Sequence, residues 1–225
     1  MKRAIAIDGP NGAGKSTIAR SVADRLGFAY VDTGAFYRAV GLFCVKIGAN
    51  LDNADEIEAC LPHVSLSVEY VNSRQMTYIN GMNMTADIRT QAAAEAASKS
   101  ARVPSLREKV VELSRSISKD ENVVMDGRDI GTVVLPDADL KIYLDAGLET
   151  RTCRRLSELR DSGQSAEYEA VLQEIIERDH RDSTRASSPL RVAEGAVVID
   201  SSDMSVEQVC DIIVKELEMA KGRQL

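Results

Sequence analysis

The chain of 225 residues predicts an α/β fold in three layers, a parallel sheet between two layers of helices. Three observations lead there. Short apolar runs ending in Asp recur: Arg3-Ala4-Ile5-Ala6-Ile7 before Asp8, Phe28-Ala29-Tyr30-Val31 before Asp32, Asn122-Val123-Val124-Met125 before Asp126, and Ala196-Val197-Val198-Ile199 before Asp200. Runs so short and evenly apolar suit strands buried on both faces. The stretches between them carry apolar residues at helical spacing, as at Ile18, Val22 and Leu26. A glycine-rich turn, Gly9-Pro10-Asn11-Gly12-Ala13-Gly14-Lys15-Ser16, joins the first strand to the first helix.

In chain order, the first helix runs from Thr17 to Leu26 and stops at Gly27. The strand at residues 28–31 ends in Asp32-Thr33-Gly34, a turn that also caps the next helix, with Thr33 as a capping candidate. That helix covers Phe36 to Ile47, apolar nearly all round, and stops at Gly48. A short helix spans Ala54 to Leu61, before Pro62. The period then changes to two in Leu66–Tyr70 and Met76–Ile79, and Asn80-Gly81 is a hairpin signal with Met82-Asn83-Met84 leading out. This predicts an antiparallel sheet of three strands, too small to stand alone and so an appendage of the main domain. Residues 89–118 read as helical, broken by Pro104. A strand at Leu140–Leu144 and a charged helical region from Glu149 to about Arg185, broken near Ser162-Gly163, follow. A last helix covers Val206 to Ala220. In a sheet of this kind ligands bind beyond the strand C-terminal ends, where Asp8, Asp32, Asp126 and Asp200 fall.

Composition narrows the function. Apolar content of 44% with 28% charged residues is ordinary for a soluble globular chain, and a net charge of −7 argues against a general nucleic-acid binder. Yet 19 of the 28 basic residues are Arg, concentrated in the second half, so the mean charge can hide a local phosphate site. Four scattered cysteines and two histidines make no zinc set, and buried reduced thiols are expected. The chain enters a strand at once and has no membrane-length apolar run, so a cytoplasmic protein without membrane or nucleic-acid partners is expected.

The glycine turn fits the phosphate-cradling P-loop pattern, two glycines followed by Lys and Ser. Without side chains at the glycines, successive N–H groups curl towards a polyphosphate, and the helix N-terminus adds its positive end. Lys15 would reach the outer phosphates and Ser16 would ligate Mg²⁺. The expected donor site is Gly9, Pro10, Asn11, Gly12, Ala13, Gly14, Lys15, Ser16 and Thr17, holding a nucleoside triphosphate with Mg²⁺.

Three other groups carry candidate chemistry. In Asp32-Thr33-Gly34-Ala35-Phe36-Tyr37-Arg38, Arg38 is directed at the site, though alone the segment reads first as a cap with a solvated Arg. In Asp126-Gly127-Arg128-Asp129-Ile130-Gly131-Thr132, Asp126 is placed to act through water on Mg²⁺ and Arg128 to grip a phosphate; a structural ion pair is the equal alternative. In Arg178–Arg185, residues Arg178, Arg181, Asp182 and Arg185 share one helical face, which suits an anion unless the face is a solvated salt-bridged one. A looser set, Arg151, Arg154, Arg155 and Arg160, lies on one helix that would close as a lid, or be simply solvated.

Taken together, the P-loop, the Asp32–Arg38 segment, Asp126–Val134 and Arg178–Arg185 resemble bacterial cytidylate kinases over essentially the whole chain, including the small-sheet insertion. The resemblance implies transfer of the ATP γ-phosphoryl group to CMP or dCMP; a monomer is expected. It implies a core (about 1–32, 119–148 and 186–225), a monophosphate-binding region (about 33–118, insertion about 64–86) and a short helical lid (about 149–165). It places Ser98, Arg107 and Asp129 at the cytosine base, Arg38, Arg128 and Arg185 at the acceptor phosphate, and Arg178 and Asp182 at the ribose. Arg154 and Arg155 would close over the ATP phosphates. Thr33 stands where the family usually has Ser, keeping the hydroxyl. A kinase of UMP, AMP or shikimate is the competing enzyme, and a nucleotide switch the competing class, disfavoured because no Asn-Lys-x-Asp segment is present.

Overall fold

A computed structural model describes residues 2–161 and 163–222. In chain order the elements are β1 (Ala4–Asp8), α1 (Lys15–Leu26), β2 (Ala29–Asp32), α2 (Thr33–Lys46), α3 (Ala54–Cys60), β3 (Leu66–Val71), β4 (Arg74–Ile79) and β5 (Met82–Asn83). They continue with α4 (Gln91–Ser100), α5 (Pro104–Asp120), β6 (Val123–Gly127), β7 (Leu140–Asp145), α6 (Leu148–Asp161), α7 (Tyr168–Thr184), β8 (Val197–Asp200) and α8 (Val206–Gly222). The helix break expected at Ser162-Gly163 lies between α6 and α7, although Ser162 itself lies outside the described residues.

The five long-range strands pair in parallel in the order β2-β6-β1-β7-β8. Alternation divides their side chains between two cores. Ala6, Val31, Val123 and Met125 face the core shared with α2, α4 and α5. Ile5, Ile7, Tyr30, Val124 and Ile142 face the one shared with α1 and α8. Both faces are covered, which is why the strands lack a polar side.

The antiparallel sheet β3-β4-β5 forms as its period of two predicts, with Asn80 and Gly81 at φ 53° and 76° in the hairpin. Its Ile79, Leu66, Val68 and Tyr70 join the first core, so it is held by the main domain. The Ala-rich α4 lies against α2 at close range. A Cβ at Gly41 would stand 2.8 Å from the Ala96 backbone, so only glycine permits this approach. Leu156, Leu159, Val171 and Ile175 form a third apolar cluster, which packs α6 against α7.

Several local expectations are corrected. Asp32, not Thr33, caps α2, its carboxylate accepting the Ala35 N–H at 2.9 Å; Thr33 is the first helical residue. Pro62 continues the chain as a 3₁₀ turn, Leu61–His63, because proline suits a first turn. Ile130–Val134 is a π turn, closed by Val134 N–H to Asp129 O and Leu135 N–H to Ile130 O. Arg185 is extended (ψ 142°) just beyond α7, so it reaches the cleft from a cap and not from a helical face. Cys44, Cys60 and Cys210 are buried thiols as expected, but Cys153 is exposed on α6.

Candidate active site

The P-loop follows β1 at the centre of the sheet. Gly9 passes so close to β7 that a side chain would overlap the Leu144 carbonyl oxygen. Gly14 enters α1 in the left-handed conformation (φ 88°), and no side chain caps the helix, leaving its first N–H groups facing the cleft. Lys15 is buried and its Nζ donates to Pro10 O at 2.6 Å. Burial, and then the charge of Arg128, holds the Lys15 ammonium well below the usual lysine range. Beside it, Ser16 Oγ donates to Asp126 Oδ2 at 2.9 Å and Tyr30 OH to Asp126 Oδ1 at 2.9 Å. Burial, and then the Asp32 charge, pushes the Asp126 carboxyl up to about 6.

Gly14, Lys15, Ser16 and Asp126 line one wall of a cleft of about 380 Å³. The opposite wall comes from α2, α4, α5, the loop after β6 and the end of α7. Asp32 Oδ2 accepts from Arg38 at 2.6 Å, and Thr33 Oγ1 donates to Asp126 O at 2.8 Å. Arg128 Nε donates to Asp182 Oδ2 at 2.8 Å, and Arg185 lies 3.9 Å from Asp182 and 4.0 Å from Asp129. Burial alone would raise the Asp182 carboxyl, but Arg128, Arg178 and Arg185 outweigh it and hold it below the usual carboxylate range. Deeper in, Arg107 pairs with Asp129 and stacks 5.4 Å from the Tyr37 ring centroid. Burial, and then Arg128, pulls Arg178 down to about 10.

Nine basic and five acidic side chains line this cleft. Several donors find no acceptor: Arg155 Nε, Arg178 Nε and Arg185 Nη2 are buried without a hydrogen bond. A concentration of buried cations with unpartnered N–H groups is costly alone and favourable around a polyanion. The residues therefore fit the phosphates of a nucleotide. The adjoining Ser16 hydroxyl and Asp126 carboxylate suit an ion that keeps most of its water, as Mg²⁺ does, and no cluster of three or more His, Cys, Asp or Glu occurs among the described residues.

Comparison with known proteins agrees with this geometry. The cytidylate kinase family model matches residues 5–219. This chain belongs to the cytidylate kinase family. It is 42% identical over 221 residues to a cytidylate kinase of Caldicellulosiruptor saccharolyticus, covering 98% of each chain. It is 47% identical over 212 residues to that of Thermotoga maritima, covering 94% of each. Among solved structures, an uncharacterized protein from Eubacterium ventriosum aligns over 96% of this chain and 99% of its own with a TM-score of 0.51 and 13% identity, a likeness of fold alone.

For a member of this family, most residues singled out by sequence come together. Asn11, Gly12, Gly14, Lys15, Ser16, Thr17, Arg155, Thr33, Arg38, Ser98, Arg107, Asp126, Arg128, Asp129, Arg178, Asp182 and Arg185 all line the cleft. Gly9, Pro10 and Ala13 do not; they shape the loop from behind. Arg154 is also outside, donating to Ser201 O at 2.6 Å and reaching Ala13 O at 3.4 Å on the far side of the loop. Arg151, grouped with the lid arginines, is buried against the loop, whereas Arg160 is exposed. Arg181 leaves the shared face to donate to Ser98 Oγ at 3.2 Å.

Three contributors were not legible as site residues. Tyr30 lies within an apolar strand run and Arg20, 5.4 Å over its ring, on the first helix, and neither belongs to a motif. Gln75 sits in the insertion: its amide accepts the Asp32 N–H at 2.8 Å and donates to Asp32 O at 3.1 Å, pairing the open edge of β2 as a strand would. Local periodicity carries no signal for any of these contacts.

Proposed function

We propose that the protein transfers the γ-phosphoryl group of ATP to CMP or dCMP, giving ADP and the nucleoside diphosphate, as a cytoplasmic monomer. The observation that carries this reading is the set of buried guanidinium groups with unpartnered N–H donors facing a P-loop in one cleft. In this reading residues 33–118 hold the monophosphate, the insertion braces them, and α6 with the start of α7 closes over the donor.

Phosphoryl transfer passes through a loose transition state with charge spread over the equatorial oxygens, so the protein's task is alignment and charge stabilisation. The P-loop N–H groups and Lys15 hold the donor phosphates, Lys15 leaving Pro10 O for them. Arg155 closes from the lid, and Arg154 reaches the same phosphates only if it exchanges its Ser201 contact. A Mg²⁺ ion held by Ser16, and through water by Asp126, would offset charge on the β and γ phosphates. Arg38, Arg128 and Arg185 neutralise the acceptor phosphate, which already carries the attacking oxygen, so no protein nucleophile or base is required. Arg178 and Asp182 orient the ribose, and Thr33 supports the same pocket. Asp129, held by Arg107, accepts from the cytosine amino group, with Ser98 beside it; a uracil carbonyl there would meet an acceptor and be rejected. The test is ADP release measured against CMP, dCMP, UMP, AMP and shikimate. Turnover with CMP and dCMP well above the others is expected; preferential turnover of another acceptor overturns the assignment.

A further inference from the structure

The P-loop apex is gripped from behind by a half-buried carboxylate that neither the donor nor the acceptor site accounts for. Asp179 Oδ1 accepts the Asn11 N–H at 3.2 Å, and its Oδ2 pairs with Arg151. Arg151 in turn donates to Asn11 O at 3.1 Å and to Ala146 O at 2.9 Å. Both backbone groups of Asn11 are thus held by one ion pair. The next residue lies flush against it, since a Cβ at Gly12 would stand 2.9 Å from Arg151 O. The carboxylate comes from α7, whose neighbouring Arg178 and Asp182 line the acceptor side of the cleft.

From this we propose that Asp179 is a positioning residue that sets the donor loop in register with the acceptor-holding end of α7. One helix then carries both relations: Asp179 fixes where the P-loop stands, while Arg178 and Asp182, one residue before and three after, fix where the acceptor stands. Phosphoryl transfer depends steeply on the distance and line between attacking oxygen and phosphorus, and misplacement by an ångström costs about 100-fold. A direct strut between the two holders supplies that alignment without touching either substrate. Loss of the strut leaves both sites formed but out of line. A γ-phosphorus presented without its acceptor in place is open to water, which breaks the same bond to ADP and yields inorganic phosphate.

The inference rests on the proposed two-substrate transfer, so the experiment separates the two. In the full-length wild-type protein, ADP and CDP are quantified together with CMP and ATP present; absence of CDP removes the transfer reading and this inference with it. Asp179→Asn keeps the size and an acceptor for Asn11 but loses the charge for Arg151; Asp179→Glu keeps the charge and lengthens the strut. Each variant that retains the wild-type circular dichroism and melting temperature is expected to lose kcat by about 10- to 100-fold and to release ADP in excess of CDP. Calorimetric affinities for CMP alone and for a non-hydrolysable ATP analogue alone should stay within about twofold of wild type. Unchanged kcat with equal ADP and CDP overturns the proposal. So does weaker binding of either nucleotide alone with stoichiometric transfer, because that is what separate structural support would produce. Slow transfer that remains stoichiometric also overturns it, since Asp179 would then act on the chemical step and not on register. Should Asp179→Asn fail to fold, Asp179→Glu decides alone, being the milder change.

Discussion

Arg185 illustrates how burial turns a common residue into a binding group. Its guanidinium lies among Asp182, Asp129 and Arg107, burial and then Arg107 pull it below the usual arginine range, and Nη2 has no hydrogen-bond acceptor. An acceptor phosphate would complete it. Arg185→Ala should therefore raise the KM for CMP by about 10- to 100-fold, the worth of a charge-assisted contact, and leave the KM for ATP within about twofold. Steady-state rates with each substrate varied in turn check this, and an effect confined to ATP contradicts the acceptor role. Asp8 is a second buried charge with a different consequence. It accepts the Ile130 and Gly131 N–H groups at 2.8 and 2.7 Å, yet burial outweighs them and raises its carboxyl from 3.8 to about 6. The folded state then binds more protons than the unfolded state between those values, so stability falls as pH rises through that window. The loss at neutral pH is about 2–3 kcal/mol at most. Urea unfolding of the free protein at about pH 4.5 and about pH 7 should show this decline, and Asp8→Asn should make it shallower, the Asp126 carboxyl, also raised to about 6, keeping the rest.

At the scale of elements, the insertion shows why a legible piece of sequence can have an illegible purpose. Its strands follow from a period of two and the Asn80-Gly81 turn, and its small size says that it must lean on something. Where it leans is decided by Gln75, whose amide pairs both backbone groups of Asp32, the residue that caps α2 and holds Arg38. Gln75→Ala removes these bonds and exposes the β2 edge. It is expected to cost about 1–2 kcal/mol in stability and to raise the KM for CMP several-fold more than that for ATP, read from thermal melts and initial rates. Equal changes in both KM values would mean that the contact only supports the fold. The Ala-rich α4 belongs to the same lesson: its composition says helix, but only its closeness to Gly41 explains why larger residues are absent from its buried face.

For the whole molecule, charge is distributed against its mean. A cleft lined by nine basic and five acidic side chains opens on a chain of net charge −7, so the outer surface is more acidic than the total suggests. Such a field draws anionic nucleotides to the cleft and repels them elsewhere. Consequently kcat/KM for CMP should fall several-fold as KCl rises from about 20 to about 300 mM, with kcat changing much less. A salt-independent kcat/KM would show that contact geometry alone governs capture. Among the described residues no helix is long and apolar enough to cross a membrane.

The sequence by itself determined the order of strands and helices, the P-loop and the arginine-bearing segments, because each is written in a short-range pattern of period, glycine and charge. It also carried the family, since the four motifs occur together over one chain. Only the tertiary structure decided partners: Arg154 behind the loop and not in the cleft, Arg181 on Ser98, Asp179 on the P-loop apex, Gln75 on Asp32. The physical reason is that a hydrogen bond forms or fails within a few tenths of an ångström. Packing of residues far apart in the chain sets that distance, and no local period encodes it.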